Sequence, residues 1–478
     1  MTASRFSILP LLLCIALFAL GILLIQLGQR ALGYSLVTQL YGSNSLTSCG
    51  VLLASCAPLF FVVQWLRKRG VDFISLCILV LSALIGLHYI HISSDISYTN
   101  DFTGHITYAQ FIMRNWFRPY FYSGWQDHQP PTYYYVAAIA LRFTEWLDSV
   151  LQPTALRFVS WIAYLVFSAY SLLALRRAGL SGTGYYASAL LLLFWPGGFH
   201  MASKISPEPF YYACYAAAFY YALLWYQQGR QGYLIGAIAL AGFAFAVKTS
   251  AVIIFGVIGM LMLVEFFRGR LTISKQHYKA WALVTVAVML CVVINSLKVF
   301  WYGYPVDNHL GMVGNMQRYN YTHYLTVHPE YTLTHPFNDR SLKQGFWEYI
   351  LKTSMFGEYQ WPSAHLASVM VLLLIVIFFY TMLPWLFASR ARWRGMLPYG
   401  VNLLIPVMFL MLFMERTDAL PGQDARYIYP SLVCFMVFFG KSHALYEAWG
   451  MRVVSLLGPS LVTGFALLSA FFFLTNAR

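Results

Sequence analysis

The chain has 478 residues, of which 59% are hydrophobic, 18% aromatic and only 10% charged, with a formal net charge of +14. A soluble globule carries roughly 25% charged residues, so a soluble enzyme, a disordered chain and a disulfide-stapled secreted domain are excluded. The apolar runs are continuous rather than alternating, which excludes a β-barrel and leaves an all-α polytopic membrane protein.

A helix needs about 20 apolar residues to cross the hydrocarbon. The first run is 6–27, read as a retained helix rather than a cleaved signal peptide. Further runs follow at 49–66, 72–92, 156–175, 183–200, 209–227, 232–247, 250–267, 280–297, 363–383, 397–415, 427–440 and 453–474. Together they predict about 13 transmembrane helices in one integral membrane domain, 1–478. The chain ends on an apolar run, with no C-terminal soluble domain expected. Most cysteines lie inside apolar runs and read as small buried hydrophobes. Only Cys49 and Cys56 are candidates for a disulfide.

The basic residues sit in short clusters between the runs, which reads as topology and not as a nucleic-acid surface. Arg67-Lys68-Arg69, Arg176-Arg177, the group Arg268, Arg270, Lys275 and Lys279, and the group Arg390, Arg392 and Arg394 share one side only if 131–147 does not cross. That segment is then a re-entrant or interfacial helix. With the clusters cytoplasmic, the polar stretches 93–130, 200–209, 298–362 and 415–427 share the outer face. No nucleotide-binding loop is present.

The loop 93–130 is rich in aromatics and carries Asp101, His105 and Tyr108 at helical spacing. An interfacial aromatic belt would use the same residues. A carboxylate at the membrane surface is also suited to deprotonate a hydroxyl. The pair Pro130-Pro131 suits the first turn of a helix and holds His128 and Gln129 just outside it. Glu208, between Pro207 and Pro209, caps the next span or joins a site. Lys204 pairs with Glu208 or meets a lipid phosphate. Lys248 lies between two apolar runs and needs an acidic or phosphate partner. Within Gln423-Asp424-Ala425-Arg426-Tyr427, Arg426 offers a guanidinium fork suited to phosphoryl oxygens, or pairs with Asp424 or Glu415. In the long stretch, His323, His328 and His335 form a weak candidate metal set. Residues 352–358 read as a compact turn.

The order and spacing of these pieces over most of 72–435 resemble the GT-C membrane glycosyltransferases. They are most similar to the protein O-mannosyltransferases that use dolichyl-phosphate mannose and to the lipid A aminoarabinose transferases. The resemblance rests on Asn100-Asp101-Phe102-Thr103-Gly104-His105, on His128-Gln129-Pro130-Pro131-Thr132-Tyr133-Tyr134, and on Ile205-Ser206-Pro207-Glu208-Pro209. It extends to Gly242 through Lys248-Thr249 and to Gln423, Arg426 and Tyr427. Phe102 stands where those families usually have glutamate, and Glu208 where aspartate is commoner.

The resemblance implies a GT-C fold with interfacial helices in the outer loops. It implies transfer of a sugar, with inversion, from a polyprenyl-phosphate donor to a hydroxyl on a glycan, lipid or protein acceptor. Asp101 would be the base. Arg426, Lys204 and Lys248 would hold the lipid phosphate, with Gln423 and Tyr427 beside them. His105, His128, Gln129 and Glu208 would orient the substrates. No cofactor is obligatory, and a divalent metal is optional. The expected setting is a bacterial inner membrane with the site facing the periplasm. The rival readings are a transporter or flippase and a non-catalytic scaffold.

Overall fold

The computed structural model describes residues 20, 45–93, 101–117, 126, 127, 129–145, 152–271, 277–302, 322–337, 344–417 and 424–475. Among them there is no strand. The run at 6–27 lies outside the described residues apart from Leu20.

The next two runs are α1 (Ser45–Lys68) and α2 (Phe73–Ile92). Two short helices follow, α3 (Phe102–Asn115) and α4 (Thr132–Phe143), and then the long α5 (Gln152–Arg177). The run at 183–200 is not one span. It divides into α6 (Gly182–Leu193) and α7 (Pro196–Ala202). Pro196 has no N–H to continue α6 but is pre-set for the first turn of α7. Gly197 and Gly198 then let α7 lie against the Ser354 carbonyl and the Tyr164 hydroxyl, where any Cβ would collide.

The following runs become α8 (Glu208–Gln228), α9 (Gln231–Val247), α10 (Val252–Phe267) and α11 (Tyr278–Tyr302). The long polar stretch holds α12 (Thr322–Leu325), α13 (Pro329–Thr334) and α14 (Phe346–Phe356). The expected turn at 352–358 is mostly the end of α14, which stops at Gly357 with φ 65°. The last four helices are α15 (Ala364–Met382), α16 (Arg390–Thr417), α17 (Leu432–Ala448) and α18 (Arg452–Thr475).

Among the described residues six segments are long and apolar enough to cross a membrane, and the chain is a multi-pass membrane protein. Other runs form shorter or more polar helices that lean on these. Helix α8 is the clearest case: it packs against α5, α9 and α10. Its Tyr211, Tyr212 and Tyr215 are fully buried, and each hydroxyl finds an acceptor inside the bundle. A tyrosine-rich helix is stable at this depth because its polar tips are satisfied by neighbouring helices and not by lipid.

Contacts between helix ends place the basic clusters together. Gly70, next to Arg69, lies against the Arg176 guanidinium. Gln227 donates to the Arg177 carbonyl, and Arg268 donates to the Tyr226 hydroxyl at 2.6 Å. Lys441 reaches the Gly179 carbonyl, and Trp393 is tied through Trp385 to Ser442. The described residues of all four clusters therefore lie at one end of the bundle. At the other end, the start of α5 meets Ser93 at the end of α2. The chain thus leaves and re-enters at that end between residues 93 and 152. At 12 residues, α4 is only about 18 Å long against roughly 30 Å of hydrocarbon. It does not cross, as the placement of the four clusters required.

The disulfide expectation fails. Cys56 is a free, exposed thiol. Cys49 lies two turns away on the same helix, about 10 Å distant, beyond disulfide reach.

Two outcomes follow. In a background without native cysteines, D101C and E358C are expected to react with an impermeant thiol reagent from one side of the membrane, and R69C and R392C from the other. Gly198→Ala is expected to cost about 1–3 kcal/mol through overpacking against Tyr164, read as a lower thermal midpoint in detergent.

Candidate functional site

The end opposite the basic clusters gathers charged side chains from five parts of the chain. At its centre Lys248 Nζ meets Glu208 Oε1 at 2.7 Å, with the two residues only 5% and 6% exposed. Glu208 opens α8, and Lys248 caps the end of α9. The two helices are antiparallel neighbours, so the carboxylate sits at a positive dipole end and the ammonium at a negative one. Lys248 thus has its expected acidic partner, and Lys204 does not take that place. The second carboxylate oxygen of Glu208 and the Ser206 hydroxyl are buried with no hydrogen-bond partner among the described residues.

Lys204 lies just past α7, and its ammonium stands 5.4 Å from the centre of the Tyr359 ring. Burial, then Arg426, pushes it down to about 8, against the opposing pull of Asp424, Glu208 and Glu358. Arg426 occupies the short 3-10 turn Ala425–Tyr427. Its Nε stands 3.5 Å from Asp424 Oδ2, and its backbone N–H donates to Asp424 Oδ1 at 2.8 Å. Among the described side chains Asp424 is thus the partner of Arg426. Burial raises the Asp424 carboxyl to about 6 against the pull of Arg426, with Glu358 raising it further. Tyr427 lies under two cations, with Lys248 at 5.5 Å and Arg426 at 5.2 Å from its ring centre. The turn is held from below, where α14 offers the Thr353 hydroxyl to the Ala425 N–H and α8 sends Tyr212 to the Arg426 carbonyl.

Asp101 is the exposed residue just ahead of α3, in the left-handed conformation at φ 59°. Aspartate tolerates that region better than most residues. One turn on, His105 and Tyr108 are buried and face Tyr134 of α4; Asp101 precedes the helix and is exposed, so two of the three residues predicted to share a helix face lie on it. His105 Nδ1 meets the Tyr134 hydroxyl at 2.7 Å. Burial pushes His105 down to about 4, against the pull of Glu208 and Asp101, with Lys248 and Arg426 lowering it further. Burial thus favours the neutral ring, which meets Tyr134 as a hydrogen-bonding group. Gly104 makes this packing feasible, because a Cβ there would stand 2.7 Å from Gln126 Cγ. Gln129 sits just before α4 and takes a hydrogen bond from Tyr108 at its carbonyl. His128 and Gln423 lie outside the described residues.

The candidate metal set does not assemble. His328 is tied to Glu348 at 3.3 Å, and His335 stacks on Tyr331. His323 lies on the separate short helix α12. Among the described residues no group of three or more potential metal ligands comes together. Glu208 holds Lys248 through one carboxylate oxygen, and Asp424 faces Arg426. Sequence reading missed Glu358 and Tyr359. Tyr359 lies near Lys204, His200, Arg426 and Asp101. The only signal was their place at the end of a long polar stretch.

If the buried pair organises this end, Lys248→Met is expected to cost about 3–5 kcal/mol by stranding the Glu208 charge. The double variant E208Q/K248M should recover most of that loss in thermal melts.

The family described as dolichyl-phosphate-mannose-protein mannosyltransferase matches residues 128–295, a stretch that holds Lys204, Glu208 and Lys248 but neither Asp101 nor Arg426. No curated protein matches the chain. Among solved structures the chain is similar to ArnT from Cupriavidus metallidurans bound to undecaprenyl phosphate. The TM-score is 0.50 at 16% identity, covering 80% of this chain and 62% of that one. It is also similar to the Archaeoglobus fulgidus oligosaccharyltransferase, with a TM-score of 0.51 at 14% identity, covering 84% of this chain and 56% of that one. The chain thus spans less than two thirds of the length of either. It has the fold of the GT-C membrane glycosyltransferases.

Proposed function

We propose that the chain transfers a sugar from a polyprenyl-phosphate donor to a hydroxyl acceptor, at the end of the bundle away from the basic clusters. The observation that carries this reading is the convergence of Lys204, Lys248 and Arg426 with Glu208 and His105 beside the α3 end that bears Asp101. Lys204 and Arg426, gathered at the mouth of an apolar bundle beside the Glu208–Lys248 pair, suit an anionic head group whose tail stays in lipid. The shared fold supports the donor class, since one structure that has it is described with bound undecaprenyl phosphate.

In the proposed reaction the Asp101 carboxylate takes the acceptor proton as the acceptor oxygen attacks the anomeric carbon. The bond from that carbon to the phosphate oxygen breaks, and the configuration inverts. The polyprenyl phosphate leaves with the electron pair, and Lys204 and Arg426 stabilise the developing charge. Lys248 is committed to Glu208, so its role is to hold that carboxylate. Glu208, His105 and Gln129 orient the substrates, the role the resemblance also gives His128. The positive-inside rule puts the basic end in the cytoplasm and the site outside, as in a bacterial inner membrane with a periplasmic active site. The acceptor is a glycan, lipid or protein hydroxyl.

The deciding experiment incubates the purified protein with a panel of radiolabelled undecaprenyl-phosphate sugars and hydroxyl acceptors. Wild type should transfer label. Asp101→Asn should lose about 100-fold or more in turnover while still binding undecaprenyl phosphate. No transfer by wild type from any donor, or full activity in the variant, would refute the reading.

Lys204 adds a pH signature. It is charged below its value of about 8 and neutral above it. A bound phosphate favours the charged form, so affinity for undecaprenyl phosphate should be full at low pH and fall as pH rises through about 8. Lys204→Arg should flatten that fall between about pH 7 and 9, because arginine stays charged.

A further inference from the structure

Arg157 lies near the start of α5 and is only 3% exposed. A charged side chain at such a position, among apolar helices, is costly unless it is fully engaged. Its Nε donates to the Ser203 carbonyl at 2.9 Å, and its Nη1 donates to the Ser93 carbonyl at 3.0 Å. Nη2 donates to the Ser93 hydroxyl. Those two serines are the points at which the proposed site leaves the bundle. Ser93 caps α2, where the loop that leads to Asp101 begins. Ser203 caps α7, directly before Lys204 and five residues before Glu208. Both are themselves fixed: the Ser93 hydroxyl donates to the Tyr89 carbonyl at 2.6 Å, and the Ser203 hydroxyl to the His200 carbonyl at 2.8 Å.

We infer that Arg157 is a positioning residue: one planar guanidinium ties the root of the Asp101 loop to the root of the Lys204–Glu208 segment and so sets the spacing between the base and the groups that hold the phosphate. This rests on the reading of those residues given under Proposed function, but the geometry of the tie does not. The fork is needed because its donors diverge in a fixed plane and reach two backbone carbonyls and a hydroxyl at once. A lysine keeps the charge and offers one nitrogen, so it can serve one root but not span both. A displacement of about 1 Å between reacting groups is enough to cost on the order of 100-fold in rate.

The test compares wild type, R157K, S93A and a control, S442A. The control removes a buried hydroxyl that bonds Trp385 and Thr381 at the opposite end. Hydrogen exchange is measured on full-length protein in detergent. In R157K, amides in both 101–108 and 203–208 should exchange at least about fivefold faster, with little change at the basic end. S93A, which removes only the hydroxyl contact, should loosen 101–108 alone. S442A should leave both segments at wild-type rates. Unchanged exchange in either segment of R157K, or a uniform rise across the chain, overturns the inference. If R157K does not fold, S93A decides by the same criterion for the Asp101 side.

In the transfer assay, R157K should lower kcat by about 10–100-fold, with the KM for the lipid donor changed by less than about threefold. A purely structural role would instead reduce the amount of active enzyme without altering the exchange of these two segments selectively. Absence of transfer by wild type would fail the transferase reading and leave the exchange result to decide the role of Arg157.

Discussion

A carboxylate and an ammonium cannot stay charged inside a helix bundle unless they face each other, and the Glu208–Lys248 contact at 2.7 Å meets that condition. The pair joins the first residue of α8 to the residue that ends α9, so the helix dipoles reinforce both charges. The pair also fixes the relative height of two long helices. That height decides where the Ala425–Tyr427 turn can settle, because Tyr211 and Tyr212 of α8 hold its backbone carbonyls. The rest of the reactive end is built outward from this pair.

The remaining cations are held differently. Lys204 stands over Tyr359, and Arg426 stands over Tyr427 while sharing Asp424. A tyrosine face stabilises a cation without neutralising it, and the Arg426–Asp424 contact at 3.5 Å is looser than the central pair. Burial pushes Lys204 down and Asp424 up, so this end holds groups whose charge is poised to respond to an anion. The central pair supplies rigidity, and the outer cations are less tightly paired.

The bundle is polar along its axis. Basic clusters occupy one end, and the mixed-charge site with its tyrosines occupies the other. The short helices α3 and α4 return to the end they left, which lets one amphipathic hairpin lie at the site without changing the direction of any later helix. Stacking of Tyr108 on Tyr134, with centroids 3.8 Å apart, holds that hairpin together. It delivers Asp101 beside His105 with no span given up.

Composition and charge patterning alone were enough to establish a multi-pass helical membrane protein, because the cost of unsatisfied backbone in lipid leaves few alternatives. They also placed the six described segments long and apolar enough to cross and the common end of the basic clusters, and spacing marked His105 and Tyr108 as one buried helix face. Tertiary structure decided what local pattern could not. The run at 183–200 breaks at Pro196, since hydropathy does not register a missing N–H. Lys248 rather than Lys204 takes Glu208, since pairing over 40 residues depends on how two helices stack. The three histidines of the long stretch do not gather, because Glu348 and Tyr331 engage two of them separately. Tyr359 and Arg157 carried no motif at all, for their roles come from contacts made across helices. The sequence told which groups are too costly to bury alone, and only the packed chain could say which partner each one found.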